Sequence, residues 1–128
     1  MNILIADDHA GVRNGLREIL ADALPHAQFS EAGDGDEVLK HLAQSRFSVL
    51  LLDINMPGRS GLEVLQDVKR DYPEIPVIIV SVQPEDQYAM RCLRTGAAAY
   101  VNKDRATEEL AVAVGKILAD CTCRSTRS

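Results

Sequence analysis

The chain has 128 residues, 46% of them apolar and 26% charged, with 19 acidic against 14 basic side chains and a formal net charge of -5. That length supports one domain around a single core and not two, and the acidic balance excludes direct attraction to nucleic acid or to an anionic membrane surface. No run approaches the roughly 20 apolar residues of a membrane span, no signal-peptide pattern precedes the first strand, and Cys92, Cys121 and Cys123 lack companion ligands, so they read as reduced thiols of a cytoplasmic protein.

Ile3 to Ala6 is apolar throughout, as expected of a strand covered on both faces, and it runs into the acids Asp7 and Asp8. Val12, Leu16, Ile19 and Leu20 then recur at helical spacing. Gln28 to Ala32 is a weaker strand whose polar residues suit a sheet edge, and Val38, Leu39 and Leu42 mark a second helix. Val49 to Leu52 is again wholly apolar and ends at Asp53. After it, Ser60 and Glu63 form a capping box ahead of a helix carrying Leu62, Leu65 and Val68. Val77 to Val80 is the third such run and ends at Ser81. Pro84 suits the first turn of a fourth helix, whose apolar stripe is Ala89, Cys92 and Leu93 and whose stop is Gly96. Ala98 to Val101 is the second edge candidate and leads to Lys103. Leu110, Ala113, Val114, Ile117 and Leu118 define the last helix, with Gly115 inside it at a cost of about 1 kcal/mol relative to Ala. Asp120 to Ser128 is polar and reads as a linker or frayed tail.

Strict alternation of five strands with five helices predicts an α/β fold, a doubly wound parallel sheet whose ligands bind at the carboxyl ends of the strands. Those ends carry Asp7, Asp8, Asp53, Ser81 and Lys103. Three carboxylates brought together repel unless protons or a cation neutralise them, and a set of oxygen donors suits Mg²⁺. One carboxylate can then attack a phosphoryl group while Lys103 and the Ser81 hydroxyl support the moving oxygens. Taken singly, each residue has an ordinary structural reading, such as a helix cap for the acid pair; convergence from four elements favours chemistry. His9, His26 and His41 are too far apart in sequence to suggest a shared site and read as surface or loop residues. Arg91 and Arg94 read as a solvated face open to a partner.

Asp7-Asp8, the run Asp53-Ile54-Asn55-Met56-Pro57 with Gly61 beyond, Ser81, and Gly96-Ala97 followed by Tyr100 and Lys103 resemble, in order and spacing, the receiver (CheY-like) domain of two-component response regulators. The resemblance implies a single-domain, flavodoxin-like (βα)5 sheet of strand order 2-1-3-4-5. It also implies a receiver over residues 1–119, with 120–128 a tail or linker to an output domain absent from this chain. It makes Asp53 the phosphoacceptor, Asp8 a direct Mg²⁺ ligand, Asp7 a ligand through water, and Asn55 a ligand through its backbone carbonyl. Met56-Pro57 and Gly61 would shape the nucleophile's turn. Ser81 would be the switch hydroxyl, Tyr100 the switch aromatic, and Lys103 the partner of the phosphoryl group. Implied partners are a sensor histidine kinase or phosphotransfer protein, a second copy of the chain after phosphorylation, and DNA only through the absent domain; no membrane is implied.

Two positions depart from the family pattern. Asp104 stands where a proline, often cis-bonded, commonly follows the lysine, and a non-proline cis peptide costs about 3 kcal/mol; Lys103-Asp104 is similar to receivers with a LuxR-type helix-turn-helix output domain. Val82 replaces a usually smaller residue and is expected to narrow access to Asp53. Three other readings stay open here. A stand-alone regulator needs no output domain. A Mg²⁺-dependent aspartyl phosphatase of the haloacid dehalogenase type would resemble Asp-x-Asp, but Asp53-Ile54-Asn55 lacks the second acid. A flavodoxin-like cofactor binder would meet phosphate with donors after its first strand, where Asp7-Asp8 repels it. The chain is expected to be a signalling phosphoacceptor and not a turnover enzyme.

Overall fold

Strands that are apolar on both faces require a layer on each side, and the order of elements supplies it. The computed structural model describes residues 1–82 and 85–127, and for 85–88 and 120–127 the backbone alone. Pro84 and Ser128 therefore lie outside the described residues, and with Pro84 the first-turn role expected of it. In chain order the elements are β1 (Asn2–Ala6), α1 (Ala10–Ala23), β2 (Gln28–Ala32), α2 (Gly35–Gln44), β3 (Val49–Asp53), α3 (Gly61–Asp71), β4 (Val77–Ser81), α4 (Glu85–Thr95), β5 (Ala99–Asn102), a single 3₁₀ turn (Lys103–Arg105) and α5 (Ala106–Arg127).

All pairings are parallel, in the order β2-β1-β3-β4-β5. The two weaker strands, polar β2 and β5 with its small Ala99, are the edges, and the three apolar ones fill the middle. Alternating side chains divide the core into two layers. Leu4, Leu50, Leu52, Val77 and Ile79 pack with Val38, Leu42, Val64, Leu65, Val68 and Cys92 of α2, α3 and α4. Ile3, Ile5, Val49, Leu51, Ile78 and Val80 pack with Leu16, Leu20, Leu110 and Val114 of α1 and α5.

Local signals place the helix ends. Ser60 caps α3 by accepting from the Glu63 amide, and α4 stops at Gly96, whose φ of +120° is a conformation side chains resist. Two stretches differ from the sequence reading, and the geometry after Lys103, which that reading left open, is now defined. Leu93, in the apolar stripe by spacing, is 46% exposed, whereas Cys92 beside it is fully buried in the core. The backbone of α5 stays helical past Ala119 to Arg127, so the polar composition after residue 119 does not end the helix. Among the described residues no peptide is cis; the Asn102 side chain accepts the Asp104 amide at 2.9 Å and opens the 3₁₀ turn in place of a proline.

Candidate functional site

The register of the sheet decides which strand ends meet. β1 lies between β2 and β3, so Asp7 and Asp8, just past its end, stand beside Asp53 at the end of β3. Asp53 is paired in register with Val80, and Ser81 with Asn102, which brings Ser81 and Lys103 to the same rim. Asp7 and Asp53 are 1% and 3% exposed and Ser81 is fully buried, and no other polar or charged residue among those described is buried so deeply.

Backbone amides orient the two buried carboxylates. The Asp7 amide donates to Ala32 O at 3.0 Å, and Asp7 Oδ1 accepts the His9 amide at 2.9 Å. Asp53 Oδ1 accepts the Asn55 amide at 3.2 Å. The turn after Asp53 is pinned by the Gly61 amide, which donates to Ile54 O at 2.8 Å. Glycine is needed there, because a Cβ at residue 61 would run into the backbone of Asp53 and Ile54. Lys103 reaches across from the end of β5: its ammonium is 2.7 Å from Asp7 Oδ2 and 3.3 Å from Asp53 Oδ2.

Burial pushes the Asp53 carboxyl above its ordinary pKa; the Asn55 amide and the Lys103 charge pull the other way, while Asp7 adds to the rise. Burial also disfavours the charge on Lys103, but its pairs with Asp7 and Asp53 outweigh that and hold its pKa above the ordinary value. Asp7 Oδ2 is buried and accepts no well-directed hydrogen bond among the described residues, leaving the nearby ammonium as its compensation. Two deeply buried carboxylates that share one ammonium keep an excess of negative charge that a hard cation can offset, and the oxygen donors suit Mg²⁺. Asp8, with its side chain 30% exposed, stands at the solvent side of the pocket, as does the exposed Asn55.

The structure thus brings together Asp7, Asp8, Asp53, Asn55, Ser81 and Lys103. Tyr100 sits apart on β5, partly buried against the layer formed with α2, α3 and α4. Val82, expected to narrow access to Asp53, is 59% exposed. Sequence reasoning missed one residue. Arg13 Nη1 donates to Asp7 O at 2.5 Å and its Nε to Glu31 Oε1 at 2.8 Å, tying α1 and β2 to the acidic loop; a basic residue one helical turn past the acids was the available signal. His9 is exposed, as the sequence reading had it, with its Nδ1 2.9 Å from Asp8 Oδ1. His41 is partly buried, with Nε2 3.1 Å from Glu31 O and its ring edge-on to Phe47.

A family model described as the response regulator receiver domain matches residues 3–115. The response regulator GacA of Pseudomonas aeruginosa is 34% identical over 119 residues, covering 93% of this chain and 56% of that protein. The chain spans about half the length of the curated relatives it matches. A two-component response regulator of the LuxR family from Aurantimonas superimposes with a TM-score of 0.85 at 27% identity, covering 93% of this chain and 85% of the other. The response regulator TrrA of Thermotoga maritima, solved in complex with Mg(2+)-BeF, gives a TM-score of 0.81 at 29% identity over 91% and 98% of the two chains.

Proposed function

The chain belongs to the response regulator receiver domain family, and from that membership we propose that Asp53 is its phosphoacceptor and that Mg²⁺ is its metal. The observation that carries the proposal is the buried Asp53 carboxylate, held by the Asn55 amide and facing Lys103 at 3.3 Å, with Asp7 alongside. An Asp53 oxygen attacks the phosphorus of a phosphorylated histidine on a sensor kinase or phosphotransfer protein. The new O–P bond forms as the P–N bond breaks, and the electron pair stays on the imidazole nitrogen. Lys103 and the Ser81 hydroxyl hold the transferred oxygens. Asp7, Asp8, Asp53 and the Asn55 carbonyl would hold the Mg²⁺, which supplies positive charge to the phosphoryl oxygens.

The conformational output would pass from Ser81 and Lys103 to Tyr100 and the face formed by α4, β5 and α5, favouring a homodimer. Residues 1–119 would form the receiver unit in the cytoplasm, with the following segment leading to a DNA-binding output domain, as in regulators of the LuxR type. Incubation with acetyl phosphate and Mg²⁺ followed by intact-mass analysis is the test. One phosphoryl group is expected on the wild type and none on Asp53→Asn; full labelling of that variant, or sustained turnover of a phosphomonoester as in an aspartyl phosphatase, would refute it.

A further inference from the structure

We propose that Arg13 is a positioning residue: its guanidinium fixes the peptide that joins Asp7 to Asp8 and thereby sets how tightly the two carboxylates hold Mg²⁺. The identity of the ion and its use in phosphoryl transfer rest on the receiver reading above. Arg13 stands in the first turn of α1, its amide donating to His9 O at 3.0 Å, and its side chain is 18% exposed. Nη1 donates to Asp7 O at 2.5 Å. That oxygen belongs to the peptide leading into Asp8, and because a peptide is planar, holding its oxygen restricts where the Asp8 Cα can go. The Asp7 amide is held from the other direction, by Ala32 O at 3.0 Å. Asp8 has little else to orient it. Its carboxylate meets the exposed His9 ring at 2.9 Å, a contact of the kind that constrains a side chain weakly.

The guanidinium is itself held in place. Its Nε donates to Glu31 Oε1 at 2.8 Å, and the other oxygen of that carboxylate accepts from Arg17 Nη1 at 3.2 Å. The fold puts these groups together: Arg13 and Arg17 are four apart on one face of α1, and Glu31 is in register with Ile5, whose side chain packs in the layer formed with α1 and α5. Charge and position then act in opposite directions. A guanidinium beside the pocket repels a cation, whereas ligands fixed in advance bind it more tightly. Glu31 offsets the charge of Arg13 and leaves its bond to Asp7 O intact, so position outweighs charge. Groups that orient metal ligands are typically worth about tenfold to a hundredfold in affinity. A lysine would keep the charge, but its ammonium lacks the planar fork with which Arg13 holds Asp7 O and Glu31 at once.

The experiment titrates the whole chain with magnesium chloride by calorimetry. Affinity is expected to fall about tenfold or more in Arg13→Met and by an intermediate factor in Arg13→Lys. Arg17→Met, which removes the outer arginine and leaves the bond to Asp7 O, should lose much less. Labelling by acetyl phosphate supplies a second readout: in Arg13→Met the half-saturating Mg²⁺ concentration should rise while the rate at saturating Mg²⁺ stays near that of wild type. A merely structural Arg13 would give no such split, because a loosened fold lowers the maximal rate as well. Mg²⁺ binding by Arg13→Met that equals or exceeds wild type, or an equal loss in Arg17→Met, would overturn the proposal. Should Arg13→Met not fold, Arg13→Lys decides, and wild-type affinity there would overturn it. A wild type that binds Mg²⁺ yet takes no phosphoryl group would count against the phosphoacceptor reading, with the calorimetric comparison still deciding the role of Arg13.

Discussion

Replacing Gly61 by alanine tests whether the turn after Asp53 is set by backbone packing. A Cβ at residue 61 would stand 3.0 Å from the Asp53 carbonyl carbon and closer still to Asp53 O and Ile54 Cα, where ordinary carbon contacts are about 3.5 to 4.0 Å. None of these is the end of a flexible side chain, so the main chain itself must move. Overpacking of this kind costs about 1 to 3 kcal/mol, and backbone neighbours place Gly61→Ala near the upper figure. For a chain of this size that is a fall in Tm of roughly 10 °C. The moving segment also carries the phosphoacceptor, and a misplacement on the order of 1 Å can cost a hundredfold in rate. Gly115→Ala is the control: it lies in α5, where, apart from its chain neighbours and the helix's own backbone, no heavy atom among the described residues comes within 4 Å of the added carbon, and it should gain about 1 kcal/mol from helix propensity. Urea denaturation and the rate of labelling by acetyl phosphate read both effects. If Gly61→Ala matched the wild type in stability and rate, close packing of the turn would not be what positions Asp53.

Burial raises the pKa of Asp53, so the native state holds its proton more tightly than the unfolded state, and in cation-free buffer the ionised group costs stability that is absent at low pH. Asp53→Asn should therefore melt higher than wild type at about pH 7, with the gap closing toward about pH 4; a gap that widens on acidification would contradict this. Mg²⁺ should stabilise the wild type by about 1.4 kcal/mol at ten times its Kd, and less in Asp8→Asn at the same concentration; equal thermal shifts would remove Asp8 from the metal site. A beryllofluoride adduct of Asp53 should perturb backbone NMR signals through α4, β5 and the first turn of α5, with Ser81→Ala reducing that spread and a coupling of about 1 to 3 kcal/mol. Perturbations confined to the pocket, or equally wide in Ser81→Ala, would rule out the switch route.

What could be read in the sequence is what is local along the chain. Three runs apolar at every position matched central strands, two runs with polar or small residues suited edges, and Ser60 and Gly96 mark helix ends through contacts three or four residues away. Because strands of a doubly wound sheet present their carboxyl ends on one side, the identity of Asp7, Asp8, Asp53, Ser81 and Lys103 as neighbours followed from their positions at those ends. The contacts themselves did not. Lys103 lies between Asp7 and Asp53 because β5 reaches the same rim as β1 and β3, although 96 and 50 positions separate the residues in sequence. Periodicity assigned Leu93 to the core and polar composition ended the last helix at Ala119, whereas the structure exposes the first and carries α5 to Arg127. Spacing along a chain shows which face of an element a side chain occupies; distance through space, and with it the pairing of Arg13 with Asp7 and Glu31 or of His9 with Asp8, exists only once the elements have packed.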